Sequence, residues 1–503
     1  MNKYFALNFR PLVIIATALM LGLFLGAYIW DAPFWILGIV VAFSFIIAFC
    51  VAKKRTSLTI LFAGFIVGLS AMSIFMSVTD SKPDYYDATI SCKVISIEEY
   101  NDSDYTYAYF VDDITVDDTA LNKSGLIYID TAVELYSTVT ISGYALHFTP
   151  EPLSGYDALD YQDGIRYTIY TSTFVSATVP NPTKLESTLS SIKDTIIMYM
   201  GTDSGALGIS ILFGDRTYLS DTLESAFSTA GVSHIMCVSG LHVSFVIAMA
   251  FVFLKKFKLH NVVSLIIMML LLYFYGVITD FPVSLIRAMI MYFILSVSTI
   301  VGMRYDMLNS IALTAIVMLI VSPITLFNVS FQLSFVAILG ISLFFNTFNR
   351  WFARFNGKGS RFIYTILSSI SLSLSANILV FPLIIHYFGY FGTYFILANL
   401  VIVPIVSLVF TIMWVLIALV LIAPVLTPLM IFARYFAQLI VNLSTIIASL
   451  PGASLSFQSM GALTFVYLPT VCLLSDVNCA KTTYKLRFGL GILLVSTIIS
   501  LII

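Results

Sequence analysis

The chain is 503 residues long, 59% hydrophobic and only 10% charged, with a mean hydropathy of +0.98 and a formal net charge of −2. Soluble globular domains run at about 45–50% apolar and about 25% charged, so a soluble enzyme is excluded and a polytopic membrane protein is the class that fits. Residues 80–184 hold 17 acidic and five basic side chains, a net charge of −12, which leaves +10 for the remainder.

Three apolar runs open the chain, at residues 11–29, 34–51 and 58–78. Each is long enough to cross a bilayer core of roughly 30 Å as a helix. The first follows Lys3 and Arg10 but is longer than a signal-peptide core and lacks a small-residue cleavage site. It is read as a retained span. Lys53, Lys54 and Arg55 separate the second run from the third, and the loop at Asp31 has no basic residue. The positive-inside rule then places both basic clusters in the cytoplasm. Residues 1–79 are therefore expected to be a three-span region with a cytoplasmic N-terminus, and residues 80–184 to be extracytoplasmic.

Residues 80–184 alternate apolar and polar in short Thr-, Tyr-, Val- and Ile-rich runs: ATISCKVISI, YTYAYFVDDITV, SGLIYID, STVTISGYAL and GIRYTIYTSTFVSATV. Turn formers such as Asn101-Asp102-Ser103-Asp104 and Ser154-Gly155 separate them. The pattern predicts about five or six antiparallel strands, in a small closed barrel such as an OB-fold or in a small sandwich.

Residues 185–231 are expected to form amphipathic and interfacial helices. The apolar stretch at 206–213 is too short to span and ends in Gly214-Asp215-Arg216, which suggests an interfacial or re-entrant helix. Asp221 and Glu224 have the spacing of a capping box, Leu223, Ala226, Phe227 and Ala230 share a helical face, and Gly231 is placed as its C-cap.

Residues 232–503 hold ten more candidate spans: 232–254, 262–279, 283–301, 307–321, 331–348, 362–385, 394–422, 427–450, 462–475 and 488–503. The basic clusters at Lys255, Lys256 and Lys258, at Arg304, at Arg350, Arg354, Lys358 and Arg361, and at Lys481, Lys485 and Arg487 then all fall on the cytoplasmic side. The fold class expected is a polytopic α-helical membrane protein of about 13 spans with an inserted extracytoplasmic all-β domain.

The span at 232–254 carries His234, Ser239, Gly240 and His242. Polar groups inside a membrane are costly and mark functional positions. Ser239 and His242 share a helical face, which admits a serine nucleophile with a histidine base, close helix packing with a satisfied histidine, or a polar pathway. Arg287 either lines such a pathway or snorkels to the outer interface. Gln332 and Ser334 suit polar packing at the start of a span. His386 to Gly392, with Asn399 and Pro404, suggests a glycine-rich loop before a kinked or broken helix, or a plain loop. Of the five cysteines, Cys92 alone lies in the acidic insert, so that insert has no internal disulfide, and no Cys/His spacing suits zinc. There is no Walker A motif, dinucleotide fingerprint or H-E-x-x-H; no cofactor or metal is expected.

The segment ILFGDRTYLSDTLESAFSTAGVSHIMCVSGLHVSFV resembles the ComEC competence family of bacterial DNA-internalisation proteins. The resemblance rests on Gly214-Asp215-Arg216, Ala226-Phe227 with Gly231 and His234, and Ser239-Gly240-Leu241-His242. It continues through Arg287-Ala288, Met291, Pro323, Phe331-Gln332-Leu333-Ser334-Phe335, Gly340, Pro382, Phe388-Gly389, Asn399, Pro404 and Pro451-Gly452. It implies an OB-fold in the insert and inward passage of single-stranded DNA across the cytoplasmic membrane, with the S-G-L-H helix in the translocation region. Gly214, Asp215, Arg216, His234, Ser239, Gly240, His242, Arg287, Gln332, Ser334 and Asn399 are the pathway candidates. The partners implied are an extracytoplasmic DNA receptor and a cytoplasmic motor ATPase. Many family members carry a C-terminal metallo-β-lactamase-like domain; this sequence shows none, so any strand degradation that is needed is expected from a separate nuclease, and the chain is not expected to be an enzyme. Phosphate binding relies on Lys and Arg, and the acidic insert favours instead a permease for another polar or lipidic substrate. A membrane-embedded Ser/His hydrolase is the third reading.

Overall fold

The structure, a computed structural model, describes residues 11–29, 56–80, 83–99, 107–121, 123–150, 157, 160–161, 165–179, 181–352 and 361–456. The chain divides into two compact units, Pro11–Ile192 with Ala315–Val329, and Lys193–Thr314 with Ser330–Ile503 and Met1–Arg10. The expected spans at 34–51, 462–475 and 488–503 lie outside the described residues.

In the first unit, α1 (Pro11–Ile29) and α2 (Thr56–Asp80) pack through two pairs of glycines at four-residue spacing, Gly22 with Gly26 and Gly64 with Gly68. A Cβ on Gly22 would lie 2.8 Å from the Leu69 amide nitrogen, and one on Gly68 would lie 2.9 Å from that of Leu23. Small residues at this spacing let two backbones approach in a membrane, where lipid supplies no hydrophobic drive to pack helices. Phe24 stacks at 6.1 Å on Phe327 of the 3-10 turn Pro323–Phe327.

Six strands follow: β1 (Tyr85–Glu99), β2 (Tyr107–Val116), β3 (Thr119–Ala120), β4 (Ser124–Ile129), β5 (Thr138–His147) and β6 (Ile165–Ala177). They pair in the order β1-β5-β6-β4-β2-β3, and β1 also pairs β2, so the five long strands close a ring. Alternation interrupted by β-bulges turns Ile90, Val94, Val111, Ile127, Ile141 and Ile169 into the core. Buried Tyr109 satisfies its hydroxyl by accepting the Val133 N–H at 2.8 Å. The expectation of wholly antiparallel pairing is corrected: β4 runs parallel to β6. A closed ring with an odd number of strands cannot alternate direction all round, so one neighbouring pair must run parallel. The amphipathic helix α3 (Lys184–Met200) forms as its pattern predicts, and Glu186 in its first turn accepts Lys93 Nζ from β1 at 2.8 Å.

The second unit is helical, and residues 315–321 of α9 and Val329 of α10 belong to the first: α4 (Thr202–Phe213), α5 (Asp221–Thr229), α6 (Gly240–Lys256), α7 (Asn261–Thr279), α8 (Val283–Val301), α9 (Met307–Val321), α10 (Val329–Trp351), α11 (Arg361–Phe388), α12 (Phe395–Ile422) and α13 (Met430–Ala448). Six segments among the described residues are long and apolar enough to cross a membrane, namely α7, α8, α10, α11, α12 and Pro424–Ala448, which makes this a multi-pass membrane protein. Shorter apolar helices occur at Pro11–Ala27, Ala63–Thr79, Thr202–Phe213 and Met307–Val321.

Three expectations change here. The span at 232–254 is a helix only from Gly240, because a 3-10 turn, Ser233–Ile235, and extended Ser239 precede it. The helix carrying Pro404 is not broken: α12 runs unbroken through it, as neighbouring groups in a bundle permit. The loop after His386 is tied down as a short strand β7 (Tyr390–Gly392), paired with β8 (Ser454–Ser456). Helices α10 and α11 meet where Gly340 lies against the Ser375 carbonyl, beside the buried cluster of Leu343, Phe344 and Leu379.

Candidate functional site

The site is assembled from the loop after α4, the entry to α6, and the facing turns of α8, α10 and α12. Residues 204–213 of α4 are all buried, which suits a short apolar helix held inside the bundle. The helix stops at Gly214, whose φ of 77° is the left-handed C-cap conformation that glycine adopts without strain, and its N–H donates to Ser210 O. A Cβ on Gly214 would lie 3.0 Å from Val238 Cγ2, so the turn packs on the segment entering α6.

Asp215 and Arg216 leave this turn toward different partners. Lys193 Nζ donates to Asp215 at 2.6 Å, and the Thr217 N–H donates at 3.0 Å with the Thr217 hydroxyl beside it. Burial opposes the charged carboxylate, but Lys193 and the Thr217 donors outweigh it and hold the Asp215 pKa below the ordinary carboxylate value. Arg216 Nε and Nη2 donate to Glu224 Oε1 at 2.9 and 2.5 Å. Glu224 therefore does not complete a capping box with Asp221. Ser220 caps α5 instead, its Oγ accepting the Leu223 N–H at 3.4 Å. Helix α5 buries Leu223 and Phe227, and Gly231 follows it at φ 77°.

His234 lies in the 3-10 turn, exposed, rather than within a span as the sequence suggested. Ser239 sits in extended backbone as the N-cap of α6, with His242 one turn on. The pair is close, but its chemistry is fixed by the backbone. His242 Nδ1 accepts the Ser239 N–H at 3.2 Å, with Ser239 Oγ 3.4 Å away. The ring is fully buried, stacks at 5.4 Å on Phe410 of α12, and leaves Nε2 without a partner. A neutral imidazole that accepts at Nδ1 carries its proton on Nε2. The nitrogen facing Ser239 is thus already engaged by an amide, and among the described residues no carboxylate orients the other.

Arg287, in the second turn of α8, is 4% exposed, so it does not snorkel to an interface. Its Nη1 donates to the Ser334 carbonyl of α10 at 2.8 Å, Cζ stands 6.0 Å from the Phe335 ring centre, and Nε is buried without an acceptor. Its Nη2 lies 2.6 Å from the position that a Cβ on Gly240 would take, which explains a glycine at the first residue of α6. Ser284 Oγ donates to the Val238 carbonyl and fastens α8 to the same segment.

The structure thus brings Ser239, Gly240, His242, Arg287 and the Ser334 main chain together, with Gly214 packed on the adjoining Val238. Gln332 turns elsewhere and accepts the Tyr387 hydroxyl at 2.9 Å. Asn399 is in the first turns of α12, its Oδ1 buried without a partner. Among the described residues no cluster of His, Cys, Asp and Glu is placed to hold a metal. Sequence reasoning missed Lys193, one of two lysines on an amphipathic helix, and Phe410 and Trp414, apolar letters in an apolar run. Trp414 Nε1 is buried without a partner, with Phe213, Tyr275 and Phe410 around its ring.

The family model described as Competence protein matches residues 211–475, which contain this site. The chain is 25% identical over 291 residues to ComE operon protein 3 of Bacillus subtilis (strain 168), an alignment covering 57% of this chain and 36% of that protein. The chain therefore spans little more than a third of that relative's length. No solved structure matches the chain.

Proposed function

The chain belongs to the Competence protein family, and from that premise we propose that it conducts single-stranded DNA inward across the cytoplasmic membrane during DNA uptake. The observation that carries this reading is a buried cation, Arg287, without a counter-charge among the described residues, packed on the amino end of α6 inside the family-matched helical block. A buried ionisable group in a membrane domain marks a substrate or ion path.

In this proposal the chain makes about 13 spans, with the N-terminus in the cytoplasm and the β domain outside. The β domain is an OB-fold: the pairing order and the parallel β4–β6 pair support that assignment. An extracytoplasmic receptor delivers the strand, a cytoplasmic ATPase supplies work, and any strand degradation is done by a nuclease. The Ser239–His242 pair is not catalytic here, because Nδ1 holds the Ser239 amide.

The test is internalisation of end-labelled DNA in cells lacking the chain and in cells with it restored. Loss on deletion and recovery on restoration, with surface binding of DNA retained throughout, support conduction. The acidity of the insert favours the second reading, a permease for another polar or lipidic substrate, and unchanged uptake on deletion would select it.

A further inference from the structure

Arg287 is a guanidinium buried in an apolar helix of spanning length. Among the described residues the ion pairs are Lys93–Glu186, Lys193–Asp215 and Arg216–Glu224, and no carboxylate meets Arg287. Its bond to the Ser334 carbonyl at 2.8 Å fixes its direction without neutralising it, and Nε has no acceptor. Arginine cannot shed its proton in a protein, and a buried charge without a counter-charge is strongly unfavourable.

The same guanidinium is aimed at the start of α6, a 17-residue helix, where Nη2 reaches the space that a side chain at Gly240 would fill. At the amino end of α6 the Ser239 N–H is taken by His242 Nδ1 and the His242 N–H by the Ser239 side chain, which leaves the Gly240 and Leu241 N–H groups and the positive end of the helix dipole. Two positive ends therefore face each other. In the first turn of that helix, His242 Nε2 is buried and meets no hydrogen-bond partner among the described residues. The unmet Arg287 Nε is a donor, and the absence of a side chain at 240 allows close approach. Such a set is complementary to an anion rich in oxygen.

We propose that Arg287 and the amino end of α6 at Gly240–Leu241 form a binding site for a phosphodiester group. The site rests on the conduction reading for its occupant, a phosphate of the passing strand; a phospholipid headgroup carries the same chemistry. Contact is with the backbone charge and not with bases, so passage is independent of sequence.

The test uses the full chain in lipid nanodiscs, with a fluorescent single-stranded oligothymidylate and a methylphosphonate analogue of equal length whose backbone is neutral. Affinity is measured across salt concentration for wild type, Arg287→Gln, Arg287→Lys and Gly240→Ala, and retained phosphatidylglycerol is measured on the same samples by native mass spectrometry. Arg287→Gln is expected to weaken binding of the charged strand roughly tenfold and to flatten the slope of log K against log salt by about 0.7. Binding of the neutral analogue stays unchanged. Arg287→Lys restores the slope, and Gly240→Ala, which displaces the guanidinium without removing its charge, reproduces the loss in a chain that melts like wild type. If Arg287→Gln removes phosphatidylglycerol and spares strand affinity, the phosphodiester site stands with a headgroup in it. If neither variant changes strand affinity, salt slope or retained lipid, the site is refuted while wild-type strand binding keeps the conduction reading. A wild type that binds no strand sinks the conduction reading, and the lipid measurement then decides the site alone.

Discussion

Removing Lys193 tests how the Gly214-Asp215-Arg216 turn is held. Lys193 Nζ and the Asp215 carboxylate stand 2.6 Å apart, with about a fifth of each side chain exposed. Two unit charges about 4 Å apart attract by about 4 kcal/mol at an effective dielectric of 20, and desolvation of both groups offsets much of that. A net coupling of roughly 1–2 kcal/mol follows, above the range of exposed pairs. Lys193→Met alone leaves a half-buried carboxylate on the Thr217 donors, at a cost of about 2 kcal/mol. The assay is a double-mutant cycle of Lys193→Met and Asp215→Asn, read by thermal unfolding in detergent micelles across pH. The pKa of Asp215 is depressed in the folded chain, so its contribution is complete above the ordinary carboxylate pKa and is lost as pH falls through the depressed value. Wild type should therefore lose more stability on acidification than Asp215→Asn, which keeps only the contributions of the other carboxylates. A coupling below about 0.3 kcal/mol, or identical pH profiles for the two, would refute the reasoning.

Replacing Gly68 with Leu puts a side chain into the α2–α1 contact, 2.9 Å or less from the Leu23 backbone, and should destabilise the chain by more than about 2 kcal/mol; a melting temperature equal to wild type contradicts the packing. Ser239→Ala keeps the backbone N–H that His242 accepts, so uptake should fall by less than about tenfold, the worth of one neutral hydrogen bond; complete loss would point to a nucleophile. Cys92 is 1% exposed in the barrel core, and burial pushes its thiol up to about 12. It should resist maleimide at pH 8 until the chain is unfolded, and rapid labelling of native chain at that position would count against the barrel.

Much of the fold was legible because membrane spans and half-buried strands advertise themselves by period and length. The strand runs at 85–99, 107–116, 124–129, 138–147 and 165–177 were visible as alternation, but their pairing was not, since the parallel β4–β6 contact arises from ring closure and not from any local signal. Helix starts misled where apolar letters continued through a non-helical entry: residues 232–239 read as span, yet they form a 3-10 turn and an extended cap. The polar letters Ser239, His242 and Arg287 stood out against an apolar background, and Gly240 stood beside them. Their mutual geometry, the amide on His242 Nδ1 and the guanidinium over Gly240, depends on how α6 and α8 cross, which no spacing encodes. Glu224 shows the converse: its position fits a capping box, and a tertiary partner, Arg216, takes it.

The central claim is tested most directly by following end-labelled DNA into a nuclease-resistant, intracellular form in cells that carry the deletion, the wild-type chain, or His242→Ala. The account predicts that deletion abolishes internalisation while DNA still binds the cell surface, that the wild-type chain restores it, and that the His242→Ala chain, present in the membrane at equal level, does not. Unchanged internalisation in the deletion strain would contradict it.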